Sequence, residues 1–199
     1  PPRLQCQSKD DAVSIRFDTP VLLTHRLLLR PVTSADVPTI QQDFGRWNII
    51  KNMTKNCPWP YPADGAQHWF EHSVQAKYAD KSGAIWAITR REKPDQVIGI
   101  IDVREDIGQG NRGFWLAERE WGQGIMTEAV AKVTDWTFAN TPLTELTVYN
   151  VASNVASRRV KEKTGAELVG TVIEDYHCGE TESEVWIIRK EAWLLARNS

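Results

Sequence analysis

Apolar positions along this 199-residue chain change their period several times, and each change marks an element. Leu22 to Pro31, with Leu27, Leu28 and Leu29 at its centre, predicts a first strand. Ser34 is placed to cap a helix running to about Phe44, with Asp36 favourable in its first turn and Gly45 at its end. Trp47 to Pro62 is broken by Pro58, Pro60 and Pro62 and reads as a loop. Ala66, Trp69, Phe70 and Val74, continued by Ala76 or Tyr78, form a helical stripe and predict a second helix from about Asp64 to Ala79. The period then shortens. Ala84–Thr89 and Val97–Val103 predict a hairpin about a turn at 92–95. A turn with Gly108 and Gly110 leads to a third strand of this set, Phe114–Ala117. Ile125, Ala129, Val130, Val133, Trp136 and Phe138 fall mostly on one face of a helix over 122–139. Leu146–Tyr149 is a short strand, and Ser153–Thr164 a helix closed by Gly165. Leu168–His177 and Val185–Arg189 make a last hairpin around Cys178-Gly179-Glu180. Residues 1–20 have no clear period and read as a tail or an added edge segment, which leaves one domain over 21–199.

Composition narrows the class. Hydrophobic residues at 41% and charged residues at 25% are ordinary for a globular domain of this length. A net charge of -2 with no basic stripe disfavours DNA and anionic membranes as partners. No apolar run reaches about 18 residues, and Pro1 to Asp10 lack the apolar core of a signal peptide. Cys6, Cys57 and Cys178 are odd in number and widely spaced, which suits a reduced, cytoplasmic protein. The chain opens on Pro1 rather than Met, as after processing or truncation or as a piece of a longer chain; a homodimer is also compatible. His68 and His72, at i and i+4, lack a visible third ligand, so no metal is expected.

The strongest local feature is Arg119-Glu120-Trp121-Gly122-Gln123-Gly124, lying after a predicted strand and opening a predicted helix. Glycines allow a tight turn and close approach of a ligand. The free N–H groups and positive dipole end of the helix that follows suit a phosphate. Taken alone, such a turn is also a common strand-to-helix connection.

The longer segment Phe114 to Ala129, with its Trp-Gly-x-Gly and Thr-Glu-Ala elements, resembles the acetyl-CoA signature of the GNAT superfamily, in particular its Rim-type branch. Thr24 to Pro31 is similar to that branch's first strand. Ser153 to Val160, ending in Lys163-Thr164-Gly165-Ala166, is similar to its second cofactor helix. The resemblance covers about 24–194 and implies an α+β GNAT fold: a mixed, largely antiparallel sheet flanked by helices in α/β/α layers. It implies transfer of the acetyl group of acetyl-CoA to a primary amine, with no metal. The amine would be a protein N-terminal α-amine or a small molecule such as an amino-acid or nucleotide conjugate. A non-catalytic acyl-CoA-binding or interaction domain of the same fold is the alternative.

Laid on this sequence, the resemblance implies that amides from Trp121 or Gly122 through Gln123, Gly124, Ile125 and Met126 hold the CoA pyrophosphate, with Arg119 opening the loop. Backbone at Leu116 and Ala117 would pair with the pantetheine and orient the acetyl carbonyl, Asn154 would bond the pantetheine arm, and the cofactor would enter between the strands 114–117 and 146–149. Many members carry a Tyr seven residues after that Asn as proton donor to the thiolate; here the position holds Lys161. The Rim-type counterpart is Ser153 paired with Glu174 or Asp175, Ser153 being equally suited to a helix cap; if Ser153 has neither role, a water or Ser157 is the next candidate. Asp102 and Glu105 are rival bases. Trp47, Trp59 and Tyr61, with Trp69, either line the acceptor pocket or pack in the core. Arg158, Arg159 and Lys161 either meet the CoA 3′-phosphate or form a solvated helix face.

Overall fold

Burial on two faces accounts for the apolar runs at the centre of the chain. In the computed structural model, which describes residues 15–105, 108 and 110–197, strand β3 (Gly83–Arg90) sends Ala84, Trp86 and Ile88 into one core and Ile85 and Ala87 into another. It is the middle strand of a five-stranded antiparallel sheet ordered β1 (Leu22–Leu23), β2 (Leu27–Pro31), β3, β4 (Lys93–Arg104), β5 (Arg112–Leu116). A second antiparallel sheet is ordered β6 (Glu145–Val151), β8 (Gly179–Arg189), β7 (Glu167–Tyr176).

Helices cover both faces of the first sheet. On one lie α1 (Val37–Phe44), the short α2 (Trp47–Ile50) and a continuous run made of α3 (Gly65–Trp69), a π-helical turn (Phe70–Val74) and α4 (Gln75–Asp80). On the other lies α5 (Ile125–Asn140), with Ile125, Ala129, Val130 and Val133 facing Trp86, Ile88 and Ile101. Beside it run α6 (Val155–Lys163) and α7 (Lys190–Arg197), whose Trp193 packs with Phe138, Leu146 and Ile188. The expected α+β architecture is present, with every described strand pair antiparallel.

Several elements differ from the pattern-based expectation, each for a local reason. The single strand expected over 22–31 is a hairpin, because Thr24 Oγ1 accepts the Leu27 N–H and the Thr24 N–H reaches the Leu27 carbonyl, turning the chain at 24–27. Thr33, not Ser34, precedes the first helical turn and forms a reciprocal capping box with Asp36. The expected loop over 47–62 holds the four-residue helix α2, and α7 follows β8 where no helix was expected. The expected turn at 92–95 is shorter, since β4 already begins at Lys93. Phe17 is buried, donates its N–H to Lys81, and sits near Pro20, whose carbonyl takes the Trp86 indole, so residues 15–20 lie against the domain; residues 1–14 fall outside the described residues.

A β-bulge matters for the site. Pairing of β3 with β4 skips Ile98, so the two-residue alternation slips: Val97 and Ile100 face one core, Ile98 and Ile101 the other. Gly99 is required there, since a Cβ would meet the Trp115 carbonyl oxygen at 2.5 Å.

Candidate active site

The glycine turn between β5 and α5 depends on two left-handed residues. Gly122 has φ of 75° and Gly124 φ of 74°, and Gly124 caps α5. Among the described residues, the amides of Gly122, Gln123, Gly124, Ile125 and Met126 donate to no protein acceptor, as expected for a loop feeding the first turn of a helix. The side chains of Ile125 and Met126 point into the core, so these residues offer only backbone to a ligand.

Side chains hold this turn from three sides. Glu128, in the first turn of α5, takes hydrogen bonds from Thr24 Oγ1 (2.6 Å), the Arg26 N–H (2.9 Å) and Arg26 Nε (2.7 Å). Burial pushes its carboxyl up, but those donors outweigh burial and hold it below the usual carboxylate range. Arg26 also donates to the Gln123 carbonyl. Arg90, at the end of β3, donates to Glu120 and to Gln123 Oε1 at 2.7 Å each. Arg119 turns away from the loop to the buried Asp43 of α1, giving both oxygens a bond of 2.7 Å or less. Thus Arg119 and the Gln123 side chain act as braces. Thr24, Arg26, Asp43 and Arg90 were not singled out from the sequence; the resemblance segments containing Thr24-His25-Arg26 and Thr127-Glu128-Ala129 carried the only signal.

The two sheets meet at Asn111. Its N–H reaches the Thr147 carbonyl, and its side-chain Oδ1 accepts the Thr147 N–H at 2.7 Å where a backbone carbonyl would otherwise stand. No ladder joins β5 to β6 among the described residues. At the other end of β5 the Leu116 carbonyl takes the Trp121 indole N–H (2.8 Å), and Ala117 donates to Ile98, on the bulge, while accepting from Glu120.

At the start of α6, Asn154 is the helix cap, its Oδ1 accepting the Ser157 N–H at 3.1 Å. Ser153 is exposed on the turn ahead of it. Asn154→Ala should therefore lower stability by about 1 kcal/mol, whereas Ser153→Ala leaves it unchanged; paired denaturant titrations check this. Glu174 is exposed, Asp175 pairs with Lys55 at 2.7 Å, and β8 lies between these acids and Ser153, since Glu182 accepts the Ala152 N–H and faces Ile173.

Ser157, one turn into α6, is buried and accepts a 2.9 Å bond from Lys161 Nζ. Neither residue pointed to this pairing from the sequence, because burial of a helical lysine leaves no periodic mark. Arg158, expected at a phosphate or in solvent, pairs with the buried Glu184. Asp102 pairs with Arg104.

The aromatic residues divide. Trp47 and Trp59 are half-exposed with ring centroids 5.1 Å apart. Tyr61 packs edge-on against Phe44, which touches Trp115, and burial pushes the Tyr61 phenol up to about 12. The segment after α2 is tied to the end of β7 by a Thr54–Tyr176 bridge and by the His177 N–H to the Met53 carbonyl. Asn48 reaches Glu118, so this aromatic segment stands beside the loop that leads to the glycine turn. His68 and His72 stack on each other at the surface.

A groove of about 630 Å³ starts at Gly124 and Thr127 on the first turn of α5 and crosses to Lys163, Thr164 and Gly165 at the end of α6 and to Trp193 and Arg197 of α7. A phosphate at the glycine turn would have this groove for the rest of a nucleotide.

Residues 26–167 match the model of the Acetyltransferase (GNAT) domain, well over half of the chain, and the chain belongs to that family. It is an acetyl-CoA-dependent N-acetyltransferase of the GNAT class. It is 25% identical over 160 residues to the uncharacterized N-acetyltransferase YoaA of Bacillus subtilis, covering 77% of this chain and 86% of that one. Among solved structures it is similar to RimL, a ribosomal L7/L12 alpha-N-protein acetyltransferase in complex with coenzyme A (TM-score 0.70, 17% identity, 87% of this chain and 99% of that one). It is also similar to the microcin C7 self-immunity acetyltransferase MccE in complex with acetyl-CoA and AMP (TM-score 0.68, 16% identity, 83% and 93%). No described helix is long and apolar enough to cross a membrane.

Proposed function

We propose that this chain acetylates a primary α-amine by direct attack in a ternary complex, with the acetyl-CoA pyrophosphate on the amides from Gly122 to Met126. The observation that carries the reading is the glycine turn: two left-handed glycines, five amides without a protein acceptor, and a groove of nucleotide size leading away from them. A pantetheine amide would take the place of the Trp121 indole on the Leu116 carbonyl, and the carboxamide of Asn154 keeps its Nδ2 donor for the same arm. Trp47 and Trp59 supply an open aromatic face for the acceptor next to the end of β5, with Tyr61 as its packed base.

The reaction needs a neutral amine, a polarised thioester carbonyl and a proton for the leaving thiolate. An α-amine, with a pKa of about 7.7–8.0, supplies its own neutral form near neutrality, whereas a lysine at about 10.4 needs a strong base. Glu174 is exposed and Asp175 is bound to Lys55, so neither is set up to deprotonate a lysine. This favours an α-amine, on a peptide N-terminus as in the RimL relative or on a small conjugate. For the proton we favour Ser157, buried and bonded through its N–H to Asn154 Oδ1 on the side of the pantetheine arm, over the exposed Ser153.

A pair of peptides tests the acceptor class. At pH 7 a peptide with a free N-terminus and no lysine should gain one acetyl mass, and the same peptide with a blocked N-terminus and one lysine should stay unmodified. Preferential modification of the lysine peptide would overturn the α-amine assignment.

A further inference from the structure

Buried charge between the two sheets is unevenly matched. Arg112 on β5, Thr134 on α5, Ser157 and Lys161 on α6, Asn150 on β6 and Glu184 on β8 are all buried, and with Arg158 they form one polar cluster bridging the sheets. Glu184, the cluster's carboxylate, is taken by Arg158 together with Asn150 and the Trp186 indole. Asp102 reaches Arg112 only through space while bonded to Arg104. Among the described residues, two cationic side chains, Arg112 and Lys161, are thus left without a bonded counter-ion. Arg112 Nη2 and Asn150 Oδ1 have no partner at all among the described residues. Lys161 is 1% exposed; beyond its bond to Ser157 Oγ, its ammonium lies 5.8 Å from the centre of the Phe114 ring. Burying an unpaired ammonium is costly, and a fold normally avoids it.

This site is suited to negative charge that appears only during reaction. Because Lys161 donates to the Ser157 oxygen, the serine hydroxyl hydrogen stays available to a further acceptor. We infer that Lys161 and Ser157 form a proton relay for the departing CoA thiolate, Lys161 acting through Ser157 as its proton reservoir and positioning group. The inference rests on the acetyl-transfer reading above. When the carbon–sulfur bond breaks, its electron pair stays on sulfur, and sulfur takes the Ser157 hydroxyl proton. Ser157 takes one from Lys161, leaving a neutral amine, while the proton lost by the attacking amine goes to solvent. Lys161 is then reloaded from solvent before the next turnover. Burial, with the like charge of Arg112, lowers its pKa to about 7 against a partial upward pull from Glu184, so both forms are reachable near neutrality.

Two measurements on the whole chain test the relay. Turnover of the wild type, read as thiol release at saturating acetyl-CoA and amine, should fall as pH rises through about 7–8, after correction for ionisation of the acceptor. Lys161→Met keeps the side-chain volume and removes the charge. It should lower kcat about 10²-fold, abolish that descending limb, and leave acetyl-CoA affinity within a few-fold; Lys161→Leu is a second variant with the same expected result. The second measurement needs no activity. The folded state gives up the Lys161 proton near pH 7 and the unfolded state near 10.5. Over that window the unfolded chain binds more protons, so stability rises with pH, and the unfolding constant should fall by up to about tenfold per unit in the wild type relative to Lys161→Met. Below pH 7 the two should run parallel.

An active wild type whose Lys161→Met form keeps the same kcat and pH profile overturns the relay and leaves acetyl transfer standing. A Lys161→Met form with reduced kcat but the wild-type limb overturns it too, because packing alone would then explain the loss. A wild type that acetylates no amine ends both readings.

Discussion

Replacing Gly124 with valine should remove acetyl-CoA binding from a protein that still folds. Its φ of 74° is one that side chains with a Cβ rarely adopt, and a β-branched residue resists it most. The added carbon would meet little protein: the nearest atom is Arg26 Nη2 at 3.7 Å. At Gly122, with φ of 75°, nothing lies within 4 Å. The strain, roughly 1–2 kcal/mol, is small beside typical domain stability. The turn relieves it by moving the amides of Gly122 to Met126 off their common centre, and the extra carbons stand where a phosphate must approach. Calorimetry on Gly124→Val and Gly122→Val should show no measurable binding, with circular dichroism close to wild type. Near-normal affinity in a folded variant would move the pyrophosphate site elsewhere.

The second large effect concerns the two serines at the start of α6. Ser157→Ala should lower turnover by roughly 10²–10⁴-fold, the scale of a lost general acid, with acetyl-CoA affinity nearly unchanged. Ser153→Ala should leave turnover within a few-fold, since Ser153 is exposed and Asn154 already caps the helix. Steady-state kinetics on the pair, with melting temperatures as controls, separates the roles; the opposite ranking would return the proton-donor role to Ser153.

These two sites differ in how far the sequence reveals them. The glycine turn is legible because only glycine suits its backbone angles, and because strand and helix periods flank it clearly. The order of elements from β3 to β8 is legible for a similar reason, since burial imposes alternation on strands and a stripe on α5. Ser157 and Lys161 are less so: Lys161 stands at the position of the family's Tyr and Ser157 is a fallback donor, but neither their burial nor their pairing is legible. A serine and a lysine one turn apart look the same on a solvated helix face, and only the packing of β5, β6 and α5 shows that this face is inward. Arg119 likewise stands at the expected place in the motif, yet its side chain serves Asp43, 76 residues away. The bulge at Ile98–Gly99 leaves a trace in the apolar alternation but resembles an ordinary run of buried residues. Helix α7 is short, and its main anchor, the Trp193 indole on Asp135 at 2.8 Å, is a tertiary contact.

An acetyltransferase moves an acetyl group, whereas a bare acyl-CoA-binding domain only holds its ligand. The most direct measurement follows free thiol and acetylated amine together, with the purified chain, acetyl-CoA and a panel of peptides and small conjugates bearing free α-amines at pH 7–8. Acetyl transfer predicts catalytic release of CoA thiol in one-to-one stoichiometry with an acceptor that gains one acetyl mass, lost in Gly124→Val and strongly reduced in Ser157→Ala. Saturable acetyl-CoA binding with no thiol release across the panel would contradict it.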